Sequence, residues 1–528
     1  MRETEDSVSH LVFQFGWKKP PICDKLTCGC LTRKRREFNQ MKLCELLTEL
    51  PYVEETRGNM DTDIREITSS SRDRTDHGLF FCIVGARFDA HDYAWEAVEN
   101  GCVALIVEHF VPLDVPQVLV NNGRAAMARI AEAFYGFPSR QMRMIGITGT
   151  KGKTTTTYLL QSICEHAGLK CGIIGSTGTV VEDQHLDSKL TTPDPIDLQK
   201  MLRMMADEGV KVVCMEVSAH AIDMCRLDGM SFEVGCYTNL SQDHLDYFYT
   251  MDRYFETKKQ FFTSGMVKNA AVNADDETAD RLKADLTMPF ITYGICVDAD
   301  VFARDIEITE EGARFNVQLH GMSQIAVQMR MTGMFNVYNA MAATSCALIM
   351  GIAPDKIREG LEAVTRVPGR IEVLQTGTPY KVIVDYSHSP DALENILKTV
   401  RQFTRNRVIA VFGCGGDRDK GKRPMMGEIG GRLADHCILT SDNPRTENPM
   451  VILAAIEKGI KPTGKSYEVI ENRREAISRA LRIAEDGDVI VLAGKGHETY
   501  QEIMGIKRPF DEKAIVSDLL LEMKKERG

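Results

Sequence analysis

This sequence predicts an α/β protein of three domains, and three observations carry the prediction. Its 528 residues exceed what one hydrophobic core serves. Through two long stretches, short apolar runs alternate with segments of helical period, the pattern of parallel strands crossed by helices. Between those stretches, Pro368 and Gly369 in RVPGR (366–370) punctuate the chain as a hinge would.

Residues 1–40 mix charge, Pro-Pro and the basic segment LTRKRRE without periodicity, and read as an extension of unassigned role. Cys23, Cys28 and Cys30 crowd together there. No second ligand pair follows at zinc spacing, so a metal knuckle is not expected. From Met41 the texture is globular. SSSRDRTDHGLFFCIVG and AHDYAWEAVENGCVALIVE give strand, helix and strand, a small N-terminal α/β domain over 41–140. The central domain, 141–368, opens with the strand MRMIGIT and a helix from GKTTTT that glycine stops. The strand KCGIIGS, a helix with Asp194 as N-cap and the strand VKVVCMEVS continue it. FEVGCYTNL, the helix MDRYFETKKQFF and KNAAVNAD repeat the unit; period two between Asp300 and Met331 then predicts an antiparallel patch, followed by two helices. The C-terminal domain, 369–528, alternates again from YKVIVDYS to DVIVLAG and is expected to be Rossmann-like. Ligands of such sheets sit at the carboxyl ends of strands.

Composition narrows the function. A net charge of -11 and a pI near 5.7 argue against bulk binding of nucleic acid or membrane surfaces. No apolar run approaches the roughly 20 residues of a membrane span, and the acidic MRETEDSV is unlike a secretory signal. Of the 15 cysteines, those outside the cluster of Cys23, Cys28 and Cys30 are scattered through apolar runs such as SIC, VVCM and SCAL, as buried thiols of a reducing cytoplasm are. A cytoplasmic monomer is expected.

The stretch GITGTKGKTTTT (146–157) follows a strand and opens a helix, the context of a phosphate loop. Gly149, Thr150, Lys151, Gly152, Lys153, Thr154 and Thr155 are the candidates. Lys153 is placed to pair with the terminal phosphates and Thr154 to ligate magnesium. The strict pattern wants glycine where Ile147 stands. A Gly/Thr-rich turn can be merely structural, but Gly-Lys-Thr between strand and helix favours nucleotide.

TGTKGKTTT resembles the variant loop of the Mur ligase superfamily, which includes folylpolyglutamate synthetases and uses ATP to join a carboxylate to an amine. The resemblance makes the central domain a P-loop ATPase domain that takes ATP and Mg2+. It implies that Glu216 in VCMEVSAH and His244 in NLSQDHLDYF serve the metal with Thr154, and that Lys258 is carbamylated to give an anionic ligand. Lys259 is the alternative register. FNVYNAMAA resembles an adenine-contacting helix start with Asn336 and Asn339; Arg370 follows the hinge, and DYSHSPDAL places Asp385 and His388 at the nucleotide. Alone, His244 would more often be a structural histidine, and DYSH a turn.

The N-terminal segment resembles the uridine-binding domain that some Mur ligases have and folylpolyglutamate synthetases lack. Ser71, Thr191, Thr192, Ser218 and Arg226 are the implied contacts to UDP-MurNAc-L-Ala-D-Glu, with Met224 standing where some relatives carry glutamine. SDNPRTENP resembles the signature of members that add meso-diaminopimelate. Asp442, Asn443, Pro444 and Arg445, with Arg418 in GGDRDKG and Gly494 and Glu498 in AGKGHE, are its implied site. An arginine fork suits the carboxylate by which diaminopimelate exceeds lysine. Each segment alone reads as a polar turn or cap. The implied reaction forms an acyl phosphate at the D-Glu γ-carboxylate, which the amine then attacks. A lysine-adding ligase and a P-loop NTPase switch are the alternatives; Arg445 argues against the first, and the second leaves the C-terminal loops unexplained.

Overall fold

The computed structural model describes residues 40–527 apart from 86–87, 182–183, 187–189, 296–298, 310 and 320–323. The readings on residues 1–39, including Cys23, Cys28 and Cys30, lie outside the described residues.

The phosphate loop owes its position to strand order. Strand Arg143–Thr148 lies in the middle of the central sheet, between the parallel strands Val212–Glu216 and Phe232–Tyr237. Beyond Val212–Glu216 come Cys171–Gly175, Gly178–Val181 and Gln184–Leu186; beyond Phe232–Tyr237 come Val267–Asn273 and Phe290–Gly294. The carboxyl ends of three neighbouring strands thus deliver Gly149, Glu216 and Thr238 to one edge, as a switch in strand order does in open parallel sheets. Alternation along the strand explains the two faces. Ile145 and Ile147 pack with Leu159, Leu160 and Ile163 of helix Lys153–His166 and with Val337 and Met341 of helix Met334–Ile349. Met144 faces the other way, against Leu198 and Leu202 of helix Pro195–Asp207 and Phe261 of helix Met251–Thr263. Each such side chain contributes about 1.5–3 kcal/mol by leaving water.

The period-two segment forms strands Val301–Thr309, Gly312–Leu319 and Ile325–Met329, antiparallel to one another. It is no separate patch, because Val301 pairs in parallel with Tyr293 and extends the central sheet to eleven strands among the described residues. The expected N-cap residue is in place with a different partner. Asp194 stands at the helix N-cap with no side-chain capping bond, and its carboxylate instead pairs with Arg226 Nε at 3.1 Å.

The N-terminal sheet runs Glu55–Arg57, Gln117–Leu119, Cys102–Val107, Gly78–Phe81, Glu66–Thr68, with helix Gly123–Phe134 on its apolar face. The C-terminal sheet runs Glu372–Leu374, Lys381–Asp385, Val489–Ala493, Val408–Phe412, His436–Leu439, Ser466–Val469, parallel except for its first strand. Beyond the alternation legible in the sequence, a hairpin (Tyr500–Ile503, Ile506–Pro509) and helix Glu512–Arg527 close the fold. Among the described residues no helix is long and apolar enough to cross a membrane.

Candidate active site

The loop after Arg143–Thr148 turns through Gly149 (φ 143°) and Gly152 (φ 87°) before helix Lys153–His166 begins. Both positions require glycine. A Cβ at Gly149 would meet Thr238 Oγ1 at 1.9 Å, and one at Gly152 would meet Asn339 Oδ1 at 2.5 Å. The neighbouring strand end clamps the loop: Asn239 accepts from Thr150 N and, through Oδ1, from Lys151 N, both at 2.9 Å. Thr238 Oγ1 donates to Lys151 O at 2.7 Å. Lys153 Nζ donates to Gly149 O and Thr150 O at 2.8 and 2.9 Å. Burial pushes its amine down to about 8, with Lys151 and Arg370 adding to the effect against Glu216 and Asp243. Lys151 pairs with Asp243 at 3.2 Å. Burial would raise the Asp243 carboxyl, but the Lys151 ammonium and the nearby imidazoles hold it well below the usual range.

The four residues expected at the metal are held by contacts of two kinds around the loop edge. Thr154 and Glu216 meet through Ser176, whose Oγ lies 3.0 Å from Thr154 Oγ1 and donates to Glu216 Oε1 at 3.0 Å. This set of hydroxyl and carboxylate oxygens, at a helix N-terminus beside buried lysines, fits a hard divalent cation with a polyphosphate. His244 and Lys258 lie around Tyr254, at 6.2 Å between ring centroids and 4.4 Å from Nζ to the ring. Lys258 Nζ is buried and donates to Gly149 O at 2.9 Å. Burial, aided by Lys153 and Lys151, holds its amine well below the ordinary lysine value. Lys259 is different in kind: Glu256 and Asp285, each at 2.6 Å, raise its amine. Burial likewise pushes His244 down, to about 3.

The C-terminal domain meets this edge directly. Arg370 Nη2 donates to Thr154 Oγ1 at 3.1 Å. Asp385, buried at its strand end, accepts from Ile371 N at 2.8 Å and so fixes the turn that aims Arg370. Burial raises its carboxyl, partly offset by the Ser387 hydroxyl. His388 Nδ1 donates to Tyr386 O at 2.8 Å and turns Nε2 toward Asp243, 3.9 Å away. Asn336 and Asn339 are buried and bonded to each other at 3.1 Å, with Asn339 against Gly152.

Thr192, Ser218 and Arg226 form one group. Thr192 Oγ1 donates to Glu216 O at 2.8 Å and lies 3.2 Å from Ser218 Oγ, while Arg226 donates to Thr192 O at 2.7 Å. Thr191 is their half-buried neighbour. Met224, the departure noted above, gives its sulfur to Arg226 at 3.5 Å. Ser71 lies on the N-terminal domain, donating to Glu96 at 2.6 Å. On that domain Asp89, His91 and His109 also cluster. Both ring nitrogens of His91 are engaged, by Asp89 and by Glu108 N–H, so this group reads as a loop clasp.

At the C-terminal strand ends, Asp442 is buried, and burial, which raises its carboxyl, is outweighed by Lys495 and Arg473. Among the described residues its Oδ2 has no hydrogen-bond partner, and a Cβ at Gly494 (φ 120°) would sit 2.4 Å from that oxygen. Asn443 Nδ2 donates to Glu498 Oε2 at 2.9 Å, and Lys495 Nζ bridges Asn443 Oδ1 and Glu498 Oε2 at 3.0 and 2.8 Å. Pro444 passes the chain to Arg445, whose left-handed backbone (φ 51°) lets Nη1 donate to Gly416 O at 2.7 Å while Nε faces Glu502 at 3.3 Å. Arg418 is half-exposed and lies 3.9 Å from Asp246 of the central domain. The sequence reading assigns nothing to Ser176, Lys495 or His497. A hydroxyl at the end of KCGIIGS and the Lys and His of AGKGHE are the signals that point to them.

A phosphate loop on a central parallel sheet, met by the strand ends of a second α/β domain and preceded by a third, defines a multidomain nucleotide-site protein. The chain matches the Mur ligase middle domain over residues 147–347 and the Mur ligase glutamate ligase domain over 369–496. It is 42% identical over 492 residues to the UDP-N-acetylmuramoyl-L-alanyl-D-glutamate--2,6-diaminopimelate ligase of Bacillus licheniformis, covering 92% of this chain and 100% of that one. The protein of the same name from Caldanaerobacter subterraneus subsp. tengcongensis is 44% identical over 488 residues, at 92% and 100% coverage. A solved structure of a ligase of that name superposes with TM-score 0.65 at 31% identity, covering 92% of this chain and 100% of that one. A MurF ligase from Thermotoga maritima in complex with ADP shares the fold at TM-score 0.59 and 20% identity, covering 88% of this chain and 98% of that one. The chain belongs to the Mur ligase family.

Proposed function

We propose that this protein is the cytoplasmic ATP-dependent ligase that joins meso-diaminopimelate to UDP-MurNAc-L-Ala-D-Glu in peptidoglycan precursor synthesis. One observation carries the reading: the Asp442–Arg445 loop, Gly494 and Glu498 converge at strand ends of the same domain that sends Arg370 to Thr154. The relatives' names, which print both substrates, point the same way. We place the domains at 41–140, 141–368 and 369–528, with 1–40 an extension of unassigned role. The free cysteines, without disulfides among the described residues, suit a reducing compartment.

In this reading Lys153, Lys151 and Arg370 neutralise charge on ATP's γ-phosphoryl as it passes to the D-Glu γ-carboxylate, giving ADP and an acyl phosphate. Thr192, Ser218 and Arg226 hold the peptide end of the nucleotide sugar, with Ser71 toward its uridine. Asp442 and Glu498 receive the ammonium end of diaminopimelate, and Arg445 and Arg418 its carboxylates. Attack by the free amine forms the amide and expels phosphate. Thr154 and Glu216, joined by Ser176, hold Mg2+, which offsets phosphoryl charge when bound. Asn336 and Asn339 lie on the adenine side, with Asp385 and His388 shaping the approach of Arg370. Lys258 is carbamylated: its unprotonated amine adds CO2 and releases a proton, giving an anion beside His244. A 13C carbamate resonance from protein in labelled bicarbonate, absent in Lys258→Ala, is the expected result; no such resonance removes this assignment.

The deciding test is phosphate release with ATP, Mg2+ and UDP-MurNAc-L-Ala-D-Glu, run with meso-diaminopimelate, L-lysine or no amine. Release only with diaminopimelate is expected. Release only with lysine would reverse the specificity, and release without amine would restore the NTPase reading.

A further inference from the structure

We propose that His497 is a positioning residue that ties the amine pocket to the phosphate-loop site through the Ser176 carbonyl; the inference rests on the ligase reading above. His497 and Glu498 are consecutive yet serve different domains. Glu498 accepts from Asn443 at 2.9 Å, Lys495 at 2.8 Å and Tyr386 at 3.3 Å, within the C-terminal pocket. His497 Nε2 reaches the central domain, 3.0 Å from Ser176 O. A carbonyl only accepts, so Nε2 carries the proton and donates. Nδ1 is buried with no partner among the described residues, which leaves this one bond as the ring's polar contact there. The ring is steadied by Tyr386, 5.0 Å between centroids, the same side chain that donates to Glu498.

What the bond holds is Ser176, the residue at the centre of the proposed metal set. Ser176 N donates to Glu216 Oε1 at 2.9 Å, and Ser176 Oγ lies 3.0 Å from both Glu216 Oε1 and Thr154 Oγ1. A shift of Ser176 disturbs its bonds to the Thr154 hydroxyl and the Glu216 carboxylate together. Substrate seated against Glu498 therefore fixes the segment whose preceding residue fixes Ser176, so the two pockets are ordered jointly. A ring that merely filled space against Tyr386 would need no donor aimed at another domain.

The test compares His497→Leu, which keeps bulk and removes the donor, with His497→Gln, which keeps an amide donor of similar reach. Turnover of the unaltered protein with diaminopimelate is established first; its absence defeats the ligase reading rather than this one. His497→Leu is expected to keep the ligand-free melting temperature, to bind Mn2+ with ADP about tenfold more weakly by electron paramagnetic resonance, and to lose about tenfold or more in kcat. Its KM for the amine should stay within about threefold, and His497→Gln should recover most of both losses. A raised amine KM with kcat and Mn2+ binding intact overturns the proposal, as does a glutamine variant no better than leucine, or a leucine variant like the unaltered protein. If the leucine variant melts early, His497→Asn, too short to reach Ser176, takes its place in the same comparison.

Discussion

Lys153 shows how a single residue reads its surroundings. Burial favours its neutral amine, so the folded protein binds fewer protons than the unfolded chain from about pH 8 up to the ordinary lysine value. The sign follows: the penalty on stability is fully present below that window and is relieved as pH rises through it. A polyphosphate beside the amine reverses the preference and restores the proton. ATP binding near pH 9 should therefore take up close to one proton, measured by calorimetry in buffers of different ionisation enthalpy. Lys153→Arg, which does not titrate there, should take up almost none; equal uptake by both proteins would place the titration elsewhere. Lys258 and Lys259 make the same point by contrast. Sequence leaves them as adjacent alternatives, and the helix turns one into the core beside Gly149 and the other toward Glu256 and Asp285.

At the scale of elements, the C-terminal loops proposed to hold the amine hang on one buried ion pair. Arg473, at the start of helix Arg473–Ile483, donates to Glu512 at 2.8 Å, to Ala493 O at 2.8 Å and to Ser441 O at 3.4 Å. Those carbonyls directly precede Gly494 and Asp442, so the last helix and two strand ends share one guanidinium. Removing one partner of such a pair strands the other charge in the core. Arg473→Met is expected to lower stability by about 3–5 kcal/mol in denaturant unfolding, and Arg473→Met with Glu512→Leu to recover much of it. A single variant as stable as the unaltered protein would show that the pair holds nothing. The hairpin Tyr500–Ile503 adds a second brace, because Glu502 N donates to Asn443 Oδ1 at 2.9 Å and Gln501 to Asp442 O at 2.7 Å.

For the whole molecule, the site is an edge shared by the central and C-terminal sheets. Arg370 to Thr154, His497 to Ser176, and Gln242 to Asp419 at 3.2 Å all cross it. A ligand bound there stabilises the joined state by mass action, about 2.7 kcal/mol at a hundredfold excess over its dissociation constant. Hydrogen exchange with Mg2+ and ADP should slow at 149–154 and 370–388 and stay unchanged in the N-terminal strands 102–107 and 117–119. Uniform slowing, or slowing in the N-terminal sheet alone, would contradict this placement.

Much of this was legible in the residues themselves. Strand–helix alternation, GKTTTT after an apolar run, and DNPR and GKGHE after others each depend on local order, since periodicity and turn chemistry are properties of neighbours in the chain. Family resemblance could be read from the same short runs. What those runs could not contain is which strand ends become neighbours. Hydrogen bonding between strands far apart in sequence put Glu216 and Thr238 on either side of the phosphate loop and made the period-two segment an extension of the central sheet. Packing set the carboxylate of the N-cap Asp194 on Arg226, joined Thr154 to Glu216 through Ser176, and brought Lys258 and Lys153 to the same Gly149 carbonyl. KCGIIGS and GKGHE offer Ser176 and His497 as polar groups, but the bond between them spans 321 positions of the chain and exists only once two domains meet.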